Sequence, residues 1–431
     1  MIPFPKRRSI AVALGTLWMA SLCIGQVAKV PLADLQAKQE LKQDFTAFQP
    51  HYEQMRVERI AEARKLASAV FAREREGKET ACSHQILFEL ESLLISSANF
   101  KFIDRRIEDL KDSLNDTNQQ QREALEQNPR TGLWGACYDE WYLKVYASYD
   151  QLEKPTSEGG PLPRFLDRVN TPKKLRTYLD SISVSNVRAA GVDHEREFDE
   201  MLSILTRMLI FGEPRHYAID PRLKSAMLNL LLHRFRSQET GWWGERYVRD
   251  GHPELVDDLS ITFHEVSFLK GRVPDMRKVI GTALAVKGMN YPVGWLWQGH
   301  YWNHNNMDVA RLFQLGWPSA TGAQRKAMAA EIRKMLHWCL TDSLQPNGSF
   351  KLMLPDGSLE DAVYYGTAFL SRIGFFDRSR RFWTAQDFPE APKVRARIYS
   401  FIEKHRATGG SGFDSYQSAL EDLRVRASSR K

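Results

Sequence analysis

Loops rich in glycine and aromatic residues return along this chain at a nearly constant interval, and that recurrence limits what the chain can fold into. The markers are Trp134 in "LWGACYDEWY", Gly191 in "AAGVDH", Trp242 in "GWWGERY", Trp295 in "VGWLWQGHYWNHNN" and Gly348 in "QPNGSF". They are separated by 57, 51, 53 and 53 residues. A further glycine-rich loop, "HRATGGSGF", follows one step later. Each step holds two helices and two turns, the length of one helical hairpin in a repeat architecture. A chain of 431 residues also exceeds the usual single-core limit unless it is a repeat or a closed barrel.

Between these loops the apolar residues recur at helical spacing. Phe198, Met201, Leu202, Leu205, Met208 and Leu209 fall on one face, as do Leu259, Phe263, Val266 and Leu269. Met328, Ile332, Met335, Leu336, Cys339 and Leu340 form another such stripe. Asp220 before Pro221, and Asp258 before Leu259, are good helix starts, and Gly271 is a stop. Convincing alternating strands are absent, so the expected class is all-α. Hairpins of this length stack into an open solenoid or close into an α/α toroid of about six inner and six outer helices. In a toroid every second loop lies on one rim, which would gather the aromatic loops around one mouth and leave "KGRVPD" and "LGWPSATGAQ" as turns on the other. That segregation favours the toroid over residues 81–431. Residues 26–80 read as a charged helical extension wrapped outside it. "QLEKPTSEGGPLPRF", residues 151–165, is the best boundary loop, without dividing the chain into independent domains.

The chain opens with Lys6, Arg7 and Arg8 ahead of an apolar run from Ile10 to Ile24, then small residues near Gly25. This is the pattern of a secretory signal peptide over residues 1–25. The run falls short of the ~20 apolar residues that a membrane span needs. The expectation is an exported chain, periplasmic or extracellular, with no stable membrane insertion after signal removal; twin-arginine export and lipidation at Cys23 are alternatives. The formal net charge is +7, three units of which belong to the leader. A mildly basic exported protein suits an acidic glycan, and no arginine-rich patch with interleaved aromatics argues for nucleic acid. Cys82, Cys137 and Cys339 lack metal-ligand spacing; they allow a Cys82–Cys137 disulfide or three buried thiols.

"LQPNGSFK", with Gln345, Gly348 and Phe350, resembles the glutamine-glycine-aromatic repeat of terpenoid-cyclase-type α/α toroids. "GWWGERY" is similar to aromatic loops in the toroids of several polysaccharide lyases. The likeness spans roughly residues 190–390 and is one of architecture and short motifs. The cyclase side of it implies an aspartate-rich motif, for which only Asp257 and Asp258 offer themselves, and those also read as a helix cap. The lyase side implies cleavage of a uronic-acid polysaccharide by β-elimination. That reaction needs the sugar carboxylate neutralised, a base for the carbon acid, and an acid for the leaving oxygen. Toroid lyases resemble one another in using asparagine, histidine, tyrosine and arginine for this.

"YWNHNNMDV", residues 301–309, supplies three of those four types. With Asn306 as N-cap and a helix from Met307 to Leu315, Asn303, His304 and Asn305 would face a helix N-terminus able to hold an anion. His264, Tyr301, Asn303 and His304 are the candidate catalytic residues. Arg246, Trp242, Trp243, Trp295, Trp302, Asn305 and Tyr364 are the candidate substrate contacts, with Tyr365 an alternative to Tyr364. Each has a plainer reading: His264 and the tyrosines as packed core, the tryptophans as toroid core, the asparagines as caps. A glycoside hydrolase would instead use two carboxyl groups from among Glu245, Asp257, Asp258, Glu265, Asp308 and Asp361. His300 and His304 allow a metal site only if their segment is helical, so no metal and no cofactor is expected. The leading expectation is a polysaccharide lyase acting on an acidic polysaccharide or oligosaccharide. Hydrolase, non-catalytic glycan-binding toroid and cyclase-like protein are the alternatives.

Overall fold

The structure, a computed structural model, describes residues 30–43, 51–115, 126–135, 137, 140–153, 163–211, 220–353, 359–405 and 415–424. The predicted signal peptide lies outside the described residues, as do 154–162 and 406–413 of the two glycine-rich loops. Among the described residues there are sixteen α-helices: α1 Leu32–Gln39, α2 Tyr52–Arg75, α3 Ala81–Ser96, α4 Phe100–Asn115, α5 Trp141–Glu153, α6 Pro172–Ile182, α7 Val187–Ala190, α8 Glu195–Phe211, α9 Arg222–Asn229, α10 Leu259–Phe268, α11 Met276–Ala285, α12 Asn303–Gly316, α13 Gly322–Trp338, α14 Leu359–Arg372, α15 Ala391–His405 and α16 Ser415–Leu423. The protein is predominantly helical, and no helix among the described residues is long and apolar enough to cross a membrane.

The apolar stripes form the elements the sequence predicts. In α8 all six stripe residues are buried, and each such side chain contributes about 1.5–3 kcal/mol when fully removed from water. At α10 the Asp258 side chain accepts from the Ile261 N–H at 3.1 Å, and the chain leaves that helix through Lys270 and Gly271, both at positive φ. Thr321 and Gln324 close a capping box on α13. Both α9 and α13 finish in a π-helical turn, Leu230–Arg234 and Cys339–Ser343.

Six helices pack in succession: α5, α8, α10, α12, α14 and α16. Neighbours in the row are separated in sequence by helices that lie alongside, among them α6, α9, α11, α13 and α15. The marker loops at Trp134, Gly191, Trp242, Trp295 and Gly348 each precede a member of this row. The recurrence in the sequence is therefore the recurrence of one helix pair.

A three-stranded sheet departs from the expectation of no strands. β1 Val184–Ser185 runs parallel to β2 Gly244–Arg249, which forms an antiparallel hairpin with β3 His252–Asp257. Asp250 and Gly251 at the hairpin tip both have positive φ, the requirement of a tight two-residue hairpin turn. Gly244 is obligatory, because a Cβ there would lie 1.7 Å from the Val256 carbonyl oxygen across the strands. Pro253 is tolerated because β3 is an edge strand. Leu41, Val187, Tyr247 and Val256 make a small separate core under this sheet.

Residues 30–43 do more than cover the outside. Leu35 joins the main core. Lys42 is buried, its Nζ 2.7 Å from Glu195 Oε1 and 2.8 Å from Asp258 Oδ2. It thereby ties the first residue of α8 to the cap of α10. Cys82 and Cys137 form a disulfide and Cys339 is a buried free thiol, which settles the alternatives the spacing left open.

Candidate functional site

The sixth residue of five successive row helices is polar: Tyr146 in α5, Glu200 in α8, His264 in α10, Asp308 in α12 and Tyr364 in α14. A helix places every sixth residue after its start at the same height, so consecutive members of a packed row bring these groups level with one another. The electrostatics confirm the adjacency. Glu200 and Asp308 both act on His264, and Asp308 acts on Tyr364. Arg196 lies 5.1 Å from the Tyr146 ring centroid and pairs with Glu200. The row thus sets a polar layer in an apolar wall, with Asp308 buried and the other four half-buried.

Two histidine–carboxylate pairs stand at the centre of that layer. His264 Nδ1 is 3.7 Å from Asp199 Oδ1, an ion-pair distance too long for a hydrogen bond. Its ring stacks on Phe268 at 5.7 Å and meets Phe263 at 5.1 Å. Its side chain is 35% exposed, so one side of the ring reaches solvent while Nδ1 is buried against Asp199. Burial opposes the charged form, but Asp199, backed by Asp308 and Glu200, raises His264 to about 9. Asp199 is held below the usual carboxylate range: burial pushes it up, and His264 and Arg196 outweigh that push.

The second pair lies on α12. His304 Nε2 is 3.7 Å from Asp308 Oδ2, one helical turn on. The His304 ring stacks on Tyr365 at 4.3 Å and meets the edge of Trp302 at 4.6 Å. Burial, together with the positive charges of His264 and Arg372, pushes His304 down to about 3. Burial lifts Asp308 to about 7, against the pull of His264 and Arg372. Near neutrality these shifts favour the cationic form of His264 and the neutral form of His304, with the Asp308 carboxyl beside His304 and acting electrostatically on His264. Divergent environments for like groups are how a site separates acid from base.

From the predicted set the structure brings together His264, His304 and Tyr364, packs Trp302 beside them as buried core, and places the others elsewhere or in structural roles. Trp242, Trp243, Trp295 and Trp302 are each 0% exposed. Trp242 Nε1 donates to Val279 O and Trp243 Nε1 to Leu231 O, while Trp295 packs edge-on against Phe313. Stacking on a sugar needs an open ring face, and these four are core. Asn303 and Asn305 are buried and structural: Asn303 Nδ2 donates to Ser343 Oγ at 2.9 Å and Asn305 Nδ2 to Trp295 O at 2.8 Å. Asn306 is not the cap. The helix begins at Asn303, after Trp302, and Asn306 lies buried inside it with no side-chain hydrogen-bond partner among the described residues.

Tyr301 faces away from the pairs, against Trp338 at 6.2 Å and beside Glu331 and Lys334 on α13. Arg246 sits on β2, its guanidinium donating to the Arg234 carbonyl. His300 is exposed on a turn. Among the described residues no three His, Cys, Asp or Glu side chains converge to hold a metal ion.

Three functional candidates escape sequence reading: Asp199, Glu200 and Arg372. The acids sit beside apolar residues of the α8 stripe and read as a solvated face. Only the common sixth position, visible once the helix starts are known, marks Glu200 and, next to it, Asp199. Arg372 ends α14 and is placed by tertiary packing, its guanidinium 5.5 Å from the Phe263 ring centroid. No protein-family model, curated protein or solved structure matches this chain.

Proposed function

We propose that the six-helix row closes into an α/α toroid and that its polar layer is the proton-transfer centre of an exported enzyme acting on an acidic glycan, by β-elimination at a uronic acid. The observation that carries the reading is the pair of histidine–carboxylate contacts on adjacent helices, His264 with Asp199 and His304 with Asp308, each at 3.7 Å, whose surroundings push the two imidazoles in opposite directions. His264 and Arg372 supply positive charge to neutralise the sugar carboxylate, which acidifies the neighbouring C–H bond. The His304–Asp308 pair accepts that proton, the carboxyl behind the imidazole being matched to neutral pH. Tyr364, neutral because burial raises its hydroxyl pKa, donates to the departing glycosidic oxygen. Tyr365 fixes the His304 ring by stacking.

The test is a panel of uronic-acid polymers, followed by ultraviolet absorbance of the conjugated double bond that elimination creates. The wild-type chain is expected to form that product. His264→Gln and His304→Gln are expected to lose about 10²–10⁴-fold in rate while remaining folded. One observation favours a second reading: Asp199 is held ionised while Asp308 stays protonated to about 7, the division of labour that glycoside hydrolysis asks of two carboxyl groups. New reducing ends without the unsaturated product would select that reading. No turnover of any glycan would remove both.

A further inference from the structure

Beyond the polar layer, the C-terminal half of α12 and the end of α14 gather three arginines. Arg311 donates from Nη1 to Gln314 Oε1 at 2.7 Å, and Gln314 Nε2 donates to the backbone carbonyl of Arg372 at 3.4 Å. Arg372 donates from Nη1 to Met307 O at 3.4 Å. Arg380 follows the helix and donates from Nη1 to Ser371 Oγ at 2.8 Å. Neutral groups thus hold three guanidinium ions around one turn of α14. Arg311 and Arg372 are half-buried, and Arg380 opens the cluster to solvent.

Among the described residues no carboxylate lies within ion-pair distance of these three guanidinium groups. Asp422 on α16 is the nearest, raised by burial and drawn down by Ser371, Arg372 and Arg380, with Glu421 next to it. Asp308, on the other side of Arg372, keeps its proton to about 7. Arg311 is pushed below the usual arginine range by burial and by repulsion from Arg372 and Arg380. Helix-end attraction does not account for the arrangement: Arg311 is five residues short of the end of α12, and the dipole acts only within the last turn. Each guanidinium has five donors in a planar fork, and among the described residues the hydrogen bonds above use one nitrogen of each.

We propose that Arg311, Arg372 and Arg380 form an oxyanion-binding site, taking the sulfate, phosphate or carboxylate group of a ligand through paired N–H donors. Fork-shaped donors match the paired oxygens of such groups, which a lysine cluster would not do. The site shares Arg372 with the proposed glycan site, but Arg311 and Arg380 play no part in that reading, and the test below reads binding without turnover.

Calorimetric titration of the full chain with sodium sulfate, sodium phosphate and sodium acetate, each at ionic strength held constant with chloride, tests it. Saturable heat is expected with at least one of these anions, and which one binds tightest distinguishes a sulfated, phosphorylated or carboxylated ligand. Affinity is expected to fall by about tenfold or more in Arg311→Gln and in Arg380→Gln, since a charge-assisted hydrogen bond is worth ~1.5–3 kcal/mol. The exposed Arg380→Gln keeps the test open if Arg311→Gln does not fold. Heats no larger than those of chloride, or equal affinity in wild type and Arg380→Gln, would overturn the proposal.

Discussion

At the residue scale, buried charge decides more than surface charge. Lys42 joins two helix starts through Glu195 and Asp258, all three buried. Burial raises Glu195 to about 8 even against the attraction of Lys42, with Asp193 and Asp258 adding to the rise. Removing the ammonium would leave two carboxyl groups with no cation between them, a loss of about 3–5 kcal/mol for breaking a buried pair. Lys42→Met is therefore expected to destabilise the protein strongly at pH 8 and less at pH 5, where protonation of Glu195 relieves one of the orphaned acids. Urea denaturation at the two pH values checks this. Equal losses at both would mean that Lys42 contributes packing alone. The same scale shows why the asparagines of "YWNHNN" invite a wrong assignment. Their composition fits a cap or an anion site equally well, and only the partners of Asn303 and Asn305, Ser343 and Trp295, show them fastening α12 to its neighbours.

At the element scale, helices were legible because a stripe repeats several times within each one. The six buried residues of α8 carry their own confirmation. The β2–β3 hairpin was not legible by periodicity, because "GERYVR" and "HPELVD" mix charges with single apolar residues whose cover comes from Leu41 and Val187 far away in sequence. The Asp250–Gly251 dipeptide was the available local signal. The start of α12 was displaced by four residues because the sequence offers three asparagines as candidate caps, Asn303, Asn305 and Asn306, and no reason to prefer the tryptophan before them. The hairpin gives a clean test. Gly244→Ala places a methyl against the Val256 carbonyl and is expected to cost about 2–4 kcal/mol, measured as a shift in the denaturation midpoint. An unchanged midpoint would mean that the strands do not approach so closely.

At the scale of the whole molecule, the spacing of marker loops revealed the helical repeat, while the polar layer stayed hidden because it depends on how the helices align across the row. His264 and His304 were recognisable as chemistry-bearing types. Their partners Asp199 and Arg372 were not, since nothing in a single helix distinguishes an acid facing the polar layer from one facing water. The layer has a global consequence. Burial raises Glu195, Glu200 and Glu265 to about 8 and Asp257 and Asp308 to about 7, whereas the unfolded chain releases these protons near pH ~4. The folded state binds more protons across that window, so stability falls as pH rises from about 4 to about 8. The raised pKa of His264 adds to this, its contribution being lost between about 6.5 and about 9. His304 works the other way, penalising the folded state as pH drops below about 6.5. The melting temperature is expected to be higher near pH ~6 than near pH ~8. A rise towards pH 8 would contradict the burial of these acids.

The proposed chemistry rests on two histidines of adjacent helices in opposite protonation states, His264 cationic and His304 neutral. Nitrogen-15 NMR of the imidazole side chains, titrated through the neutral range and assigned with His264→Gln and His304→Gln, reads those states directly and needs no substrate. The expected spectrum has His264 protonated at pH 7 and releasing its proton near 9, while His304 stays neutral throughout. Two histidines titrating together near their ordinary value of about 6.5 would contradict the account.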